Sequence, residues 1–221
     1  MKINPVLLFC LFLLGTGHCF STRTEEILNN IDKAYSAIND ISFGFTQKTT
    51  IKMTGETELV AGNAIFKKPD KFRITGKKPR EQTIVCDGKK MYLYSKKLNQ
   101  VVVEEPGITG GGILPRQFFD FSSVVSDLRG DYDITIEKED KEYSVLSCSP
   151  KKGGQEKPNA EENSKIRFWI SNKTHLLDKM ETSTDAILTQ ISVSGIKTNN
   201  KTGEKIFNFK IPKGADVVTS R

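Results

Sequence analysis

Few residues in this sequence have the type and spacing that catalysis needs. His175 is the only histidine beyond residue 21, and it stands in the turn-like stretch NKTHLL. A Cys–His nucleophile would need Cys86 or Cys148 beside it, and nothing in the sequence around either cysteine favours that pairing. The sequence contains no HExxH, GxSxG or CxxC motif, and its glycine-rich run at 107–112 does not fit a phosphate-binding loop. We therefore predict a protein that is not an enzyme, with no catalytic residues, no metal site and no cofactor.

The N-terminal residues predict export. A lysine at position 2 is followed by the apolar run 6–14 and then by small residues, which is the layout of a secretory signal peptide. The apolar run is shorter than the stretch of about 20 residues that a permanent membrane anchor needs. We assign residues 1–21 to the signal peptide, with cleavage between 17 and 21, and residues 22–221 to a single domain.

The cysteines raise two questions about the exported chain. Acylation of Cys19 would make it a lipoprotein, but that modification normally needs a small residue just before the cysteine, and this sequence has His18 there. Removal of the signal peptide leaves Cys86 and Cys148. In an oxidising compartment these two permit either a disulfide, which needs Cα atoms within about 7 Å, or two buried free thiols. The sequence alone leaves both alternatives open.

The charge balance gives little support for nucleic acid as a partner. The 33 Lys and Arg residues and the 27 Asp and Glu residues give a formal net charge of +6. Such a surplus could suit nucleic acid or an anionic membrane, but here the lysines are scattered in pairs such as Lys89-Lys90 and Lys96-Lys97, next to predicted turns. Turns are polar whatever the function, so we expect no nucleic-acid binding.

One helix and a long series of strands follow the signal peptide. Thr22 and Glu25 have capping-box spacing, and apolar residues then recur on one helical face up to Asn39. From Ile41 onwards the apolar period changes to two, and polar turns separate the runs. About eleven or twelve strands with short connections, the last at 205–211, predict one antiparallel meander curled into a sandwich or barrel.

Some predicted strands are apolar on both faces. MYLY at 91–94, FW at 168–169 and IFNF at 206–209 place apolar side chains at successive positions. Both faces of the sheet then need a cover, because alternate residues point to opposite faces. A doubly covered sandwich and a bound ligand would each supply it.

A helix on a glycine-rich hinge interrupts the strands. It is predicted to begin near Pro115, after the glycines at 110–112. Because glycine leaves the backbone unusually free, the helix could either dock as a movable lid or plug the sheet permanently. Its apolar stripe follows helical spacing and consists of Leu114, Phe118, Phe121, Val125 and Leu128.

Ordered blocks of the sequence resemble the LolA family of outer-membrane lipoprotein carriers. The blocks are SFGFTQ, AGNAIFKKPDKFRI, EQTIVCDGKKMYLYSKKLNQVVV and FNFKIPKGADVV, and they extend from the first helix to about Val218. The resemblance rests on the ordered set, and it implies a mainly β fold with helices (α+β). The expected architecture is a single curved antiparallel sheet forming an unclosed β-barrel, with an N-terminal helix and a lid helix covering an apolar cavity.

The resemblance also implies a function. LolA-like proteins receive acylated lipoproteins from a lipoprotein-releasing ABC transporter in the inner membrane and carry them, as monomers, through the periplasm towards the outer membrane. We expect the same of this chain, and the sequence leaves open whether an outer-membrane lipoprotein receptor takes the cargo. Alternatives on the same fold are a periplasmic binding protein for another lipid or glycolipid, and a half-barrel regulator of envelope stress.

The expected site combines the alternating pattern with the resemblance. Phe72 in PDKFR matches an aromatic residue at the cavity mouth of the family. Lys68 stands where the best-known members have an arginine that hydrogen-bonds the lid, and lysine lacks the planar fork of arginine, so we expect a looser latch. The expected acyl-chain cavity is lined by Phe43, Phe45, Phe72, Ile74, Met91, Leu93, Phe168 and Ile170.

Overall fold

The described part of the chain contains an N-terminal helix, a twelve-stranded sheet and a short 3₁₀ helix before the last strand. The computed structural model describes residues 18–77, 79–105, 129–130, 132–151 and 165–219. The predicted lid helix lies outside these ranges. The elements are α1 His18–Ser36, β1 Asp40–Ile51, β2 Thr57–Lys67, β3 Lys71–Gly76, β4 Gln82–Asp87, β5 Met91–Ser95, β6 Gln100–Glu104, β7 Tyr132–Glu139, β8 Tyr143–Pro150, β9 Lys165–Ser171, β10 Leu177–Ser183, β11 Ile187–Thr198, a 3₁₀ helix Glu204–Phe207 and β12 Asp216–Thr219.

The strands form one curved sheet that does not close. Their order is β12-β6-β5-β4-β3-β2-β1-β11-β10-β9-β8-β7, so β12 and β7 are the two edges. The sequence prediction of a mainly β fold with a single curved, unclosed sheet is therefore confirmed. One pair departs from the antiparallel prediction, because β12 lies parallel to β6. The chain reaches β6 for this pairing through the long segment after β11 rather than through a hairpin.

Two element boundaries differ from the sequence prediction. The helix α1 begins at His18, so Thr22 is an interior residue of the helix rather than its N-cap. The run at 205–211 was predicted as a strand, but the structure has the 3₁₀ helix there and no strand between β11 and β12. In this 3₁₀ helix Phe207 is buried against β3 and β4, and the segment does not pair with a neighbouring strand.

The helix α1 packs its apolar stripe on one face of the sheet, which we call the inner face. Its buried residues Ile27, Leu28, Ile31 and Tyr35 belong to the same core cluster as the inner-face residues of the strands. The hydroxyl of Tyr35 accepts a hydrogen bond from the backbone N–H of Leu177 at 3.0 Å. Burial raises the pKa of Tyr35 to about 12, so the hydroxyl stays protonated at neutral pH.

The opposite, outer face carries a smaller apolar cluster, which we call the outer cluster. The 3₁₀ helix lies on β3 and β4, and Phe207 is 1% exposed. The ring of Phe209 stacks on Tyr92 with centroids 5.2 Å apart. The outer cluster consists of Val85, Tyr92, Val101, Phe207 and Phe209.

Polar contacts fasten the segment that covers the outer cluster. Arg73 Nη1 donates to the carbonyl of Ile206 at 3.2 Å, and Lys67 Nζ lies 2.7 Å from a carboxylate oxygen of Glu204. The C-terminal segment is therefore a fixed cover of the outer face.

No helix within the described residues is long and apolar enough to span a bilayer.

Candidate functional site

The inner face of β1, β2 and β3 is aromatic. In β1, Phe43 and Phe45 point to this face, and the register places Phe43 opposite Ala64, which in turn is opposite Ile74. In the next row Ile41 is opposite Phe66, and Phe66 is opposite Phe72. The rings of Phe43 and Phe66 stack with centroids 5.8 Å apart, and those of Phe66 and Phe72 are 6.1 Å apart. Two apolar rows therefore cross these three strands.

The same face continues through β4 and β5. Phe72 is opposite Cys86, and Cys86 is opposite Met91. Ile74 is opposite Ile84, which is opposite Leu93. Antiparallel partners that are directly opposite point to the same face, so Met91 and Leu93 join the face of Phe43.

The other half of the sheet extends this face through β11, β10 and β9. Ile191 of β11 is opposite Gln47 of β1 and also opposite Met180 of β10. Met180 is opposite Phe168 of β9, and Ile170 lies on the same side of that strand. All of the predicted lining residues thus lie on the inner face and in one cluster, in which Phe72 and Leu93 are only partly buried. Their role in binding stays a prediction.

Several inner-face residues were not predicted. Sequence reasoning missed them because their strands are short or apolar at successive positions, as in QTIVCD of β4, and the inward side depends on register with a neighbour. They are Phe66, Ile84, Leu146, Met180 and Ile191.

Gly62 makes room for an aromatic ring on the inner face. A Cβ at this position would lie 2.6 Å from Cζ of Phe45 and 2.3 Å from the carbonyl oxygen of Thr75. Real Cβ atoms do not approach so closely, so the ring of Phe45 lies directly over the backbone of β2 only because residue 62 has no side chain. The sequence AGNAIF gives no sign of this close approach.

Charged side chains of the second half of the sheet lie on the outer face. Arg167 of β9 is opposite Glu181 of β10, and their atoms Nη1 and Oε1 are 2.7 Å apart. Arg167 Nε also lies 2.9 Å from a carboxylate oxygen of Glu137. Lys179 Nζ stands 4.2 Å from the ring centroid of Trp169. This pairing keeps the charges away from the apolar inner face.

The two cysteines beyond the signal peptide are buried free thiols on the inner face. Cys86 is opposite Phe72 and Cys148 is opposite Ile166, on different halves of the sheet. Burial raises the pKa of Cys86 and raises that of Cys148 to about 12, so both thiols stay protonated. A protonated buried thiol behaves as a small apolar group, and both cysteines therefore line the face rather than bridge it.

Lys68, in the turn between β2 and β3, reaches the C-terminal end of α1 with its side chain. Its Nζ donates to the carbonyl oxygens of Tyr35 at 3.0 Å and Ser36 at 3.1 Å. Both carbonyls belong to the last turn of α1, and that of Tyr35 also accepts from the backbone N–H of Ile38 at 3.2 Å. The predicted contact of Lys68 with the lid, and the lid residues Leu114, Phe118, Phe121 and Val125, lie outside the described residues.

The described residues offer little for catalysis or metal binding. His175 has a positive φ of 56° in the turn before β10. Within the described ranges no three His, Cys, Asp or Glu side chains come close enough together to hold a metal ion.

Comparison with known proteins decides the family. A sequence model described as "Outer membrane lipoprotein carrier protein LolA" matches residues 36–210. The chain belongs to the LolA family. The match covers the strands from β1 to β11 and the 3₁₀ helix, so it includes every strand that supplies a predicted inner-face residue.

Curated relatives of this LolA-family chain carry matching names. The outer-membrane lipoprotein carrier protein of Legionella pneumophila (strain Corby) is 33% identical over 219 residues, which cover 96% of this chain and 98% of that protein. The protein of the same name from Cupriavidus taiwanensis is 31% identical over 179 residues, covering 78% and 75% respectively. Membership supports a role in carrying lipoproteins, and a binding protein rather than an enzyme.

Solved structures agree with the fold. An uncharacterized conserved protein from Thermus thermophilus has a TM-score of 0.57 and 16% identity, and the match covers 90% of this chain and 99% of that one. The structure of MucB has a TM-score of 0.50 and 14% identity, covering 89% of this chain and 66% of that one. At such identities the likeness concerns the fold alone.

Proposed function

We propose that this protein is a periplasmic carrier that binds the acyl chains of lipoproteins on the inner face of its sheet. The cargo would be received from a lipoprotein-releasing ABC transporter of the inner membrane and passed towards the outer membrane. The supporting observation is the continuous apolar lining, in which opposite partners on β1 to β5 and on β8 to β11 belong to one cluster. Membership of the LolA family supports the binding of lipoprotein acyl chains as the function of that lining.

The chemistry of the inner face suits an acyl chain. An acyl chain offers no hydrogen-bonding groups along its length, and transfer from water to an apolar site is worth about 0.8 kcal/mol per CH₂. Phe43, Phe66 and Phe72 present neighbouring ring surfaces on the inner face, and the charged pairs of β9 and β10 stay on the outer face. Binding would therefore depend on apolar area rather than on polar recognition.

The partly buried residues indicate where cargo would enter. Phe72 and Leu93 pack against the core cluster without being fully buried, whereas Phe43, Phe45 and Ile74 are buried. A ligand can reach a partly exposed apolar side chain without first unpacking the core. We therefore place the entrance near Phe72 and Leu93.

Release of the cargo requires a removable cover. The predicted helix with Phe118 and Phe121 would act as the lid, and Lys68 would act as its latch. Lys68 also binds the carbonyls of Tyr35 and Ser36 at the C-terminal end of α1. Movement of the lid would therefore change the contacts at that helix end.

The substitution Phe72→Glu tests the binding face. A carboxylate on the inner face would have to be buried against the acyl chain, which costs several kcal/mol, so we expect the affinity for a triacylated lipopeptide to fall by more than about tenfold. Affinity is measured by displacement of a fluorescent fatty acid from the purified protein. Thr75→Glu is the matched control, since Thr75 lies in the same strand and points to the outer face. Equal affinity of the Phe72→Glu protein and the control would refute the assignment of the inner face.

Native cargo tests the carrier role more directly. The protein would be purified from the periplasm without detergent, and its bound material identified by mass spectrometry. Lipoproteins with acylated N-terminal cysteines are the expected result. A free lipid or glycolipid in their place would contradict the lipoprotein assignment while keeping the binding face.

A further inference from the structure

The structure also has an unexplained group of exposed apolar side chains at one end of the sheet. In an antiparallel meander alternate turns lie at the same end, so the turns 52–56 and 96–99 share one end with the turn 184–186 of the neighbouring hairpin. We call this end the hairpin rim. Met53 at the tip of its first turn is 91% exposed, and Leu98 in the turn 96–99 is 67% exposed.

The hairpin rim is held in a fixed shape. Ile51 and Ile187 are directly opposite each other and are 41% and 43% exposed. The backbone N–H of Lys52 donates to the carbonyl of Ala186 at 2.8 Å, and Lys52 Nζ donates to the hydroxyl of Ser183 at 2.9 Å. These bonds join the two hairpin turns, so Met53 is presented by a preorganised support.

Lysines stand next to both exposed tips. Lys96 and Lys97 precede Leu98, and the Lys96 Nζ lies 3.3 Å from a carboxylate oxygen of Glu81. Lys52 precedes Met53, with its exposed side chain bonded to Ser183. An apolar side chain beside lysines matches the interface of an anionic bilayer, where the apolar group enters the acyl region and the ammonium groups meet the phosphates. The two tips are separated by four strand spacings, about 19 Å along the sheet, so they do not form one continuous patch for a protein partner. A flat, deformable surface can contact both.

We propose that the hairpin rim is a weak docking surface for anionic phospholipid membranes, with Met53 and Leu98 as the apolar anchors. This surface is separate from the inner face, and it would bring the protein to a membrane whether or not cargo is bound. Docking through isolated tips is reversible, because each tip buries only one large side chain.

Vesicle cosedimentation tests the proposal. The cargo-free protein is mixed at low salt with vesicles of phosphatidylethanolamine and phosphatidylglycerol, and in parallel with vesicles of phosphatidylcholine. We expect binding to the anionic vesicles that weakens as salt is added. The double variant Met53→Ser/Leu98→Ser should bind about tenfold more weakly or worse, since burial of one large apolar side chain is already worth about that factor.

A pair of lysine variants provides the matched control. Lys96→Gln/Lys97→Gln removes two charges at the hairpin rim and should weaken vesicle binding by about fivefold per lysine. Lys89→Gln/Lys90→Gln removes two charges that are also exposed, from the β4–β5 turn at the opposite end, and should change little. Absence of binding by the unaltered protein, or equal weakening by the two lysine pairs, would overturn the proposal. Lipopeptide affinity should be the same in all variants, so failure of the membrane proposal is distinguishable from failure of the carrier role.

Discussion

The apolar side chains on the two faces of β4 and β5 are covered in different ways. Both faces are apolar, because Tyr92 points outwards while Met91 and Leu93 point inwards. On the outer face the chain supplies its own cover, the 3₁₀ helix with Phe207 and the ring of Phe209. On the inner face the apolar residues continue beyond β4 and β5, through β3, β2 and β1 to β11, β10 and β9. The helix α1 packs on part of that area.

The difference distinguishes apolar surface that the chain covers itself from the apolar surface proposed to bind cargo. A strand that is apolar on both faces is compatible with either a doubly covered sandwich or a bound ligand. The outer cluster follows the first explanation, since its cover is attached to the same chain and fastened by Arg73 and Lys67. The proposed acyl-chain site is therefore on the inner face, where the described residues do not include such a fastened C-terminal cover.

The largest expected effect concerns the fixed cover. Phe207→Ala removes a fully buried ring from the outer cluster and should lower the free energy of unfolding by about 3–5 kcal/mol. Urea denaturation followed by circular dichroism measures it. Lipopeptide affinity of the folded variant should be unchanged, because the outer cluster lies on the other side of the sheet. A loss of affinity without loss of stability would show that the two faces are not independent.

A smaller effect is expected at Gly62 on the inner face. In Gly62→Ala the new methyl group would meet the ring of Phe45 and the carbonyl of Thr75, so we expect a loss of about 1–3 kcal/mol in the free energy of unfolding. Displacement of Phe45 should also weaken lipopeptide binding, unlike Phe207→Ala.

Gly203→Ala is the control for this substitution. Gly203 has a φ of −72°, which alanine readily adopts, and a Cβ there would have no neighbour within 4 Å. Both unfolding and binding should be close to those of the unaltered protein. If Gly62→Ala behaves like Gly203→Ala, the close packing of Phe45 on β2 is not needed for either property.

The smallest expected effect is a dependence of the outer cover on pH. Side-chain hydrogen bonds from Lys67 and Lys71 hold the pKa of Glu204 at about 2, below its ordinary value of 4.5. A lowered pKa in the folded state contributes stability above the unfolded pKa, and that contribution is lost as the pH falls from about 4.5 through about 2. Glu204→Gln should therefore be slightly less stable at neutral pH, and its difference from the unaltered protein should disappear by about pH 2.

Thermal unfolding at a series of pH values measures this effect. Glu56→Gln, in the exposed turn after β1, is the control for loss of one negative charge. A Glu204→Gln protein whose stability difference is the same at every pH would show that the ion pairs with Lys67 and Lys71 do not stabilise the cover.

Much of the fold could be predicted from the sequence, because the evidence for it is local. Alternation in ISFGFTQ and KIRFWIS indicated the strands and the inward positions of Phe43 and Phe168, and the ordered blocks indicated the LolA family. The curved, unclosed sheet is confirmed. The boundary of α1 was wrong because a capping-box pattern inside a helix looks the same as one at its start.

What could not be predicted depends on pairing between distant segments. The run 205–211 was predicted as a strand, but it packs on β3, β4 and Tyr92 of β5 rather than pairing with a neighbouring backbone. The parallel pairing of β12 with β6 involves a short segment whose own sequence does not specify a partner. The open position at Gly62 likewise depends on where β1 and β3 come to lie.

The strand order also has a consequence for folding kinetics. β1 to β6 are a series of consecutive neighbours, and so are β7 to β11, but the two series meet only where β1 pairs with β11. Gly44 and Ser194, which face each other in that pair, are 150 residues apart in the chain. Closing so long a loop carries the largest chain-entropy cost of any pairing in the sheet, and contacts at such separations slow folding. When the chain is exported N-terminus first, the edge of β1 that pairs with β11 therefore stays unpaired until β11, which ends at Thr198, has crossed the membrane.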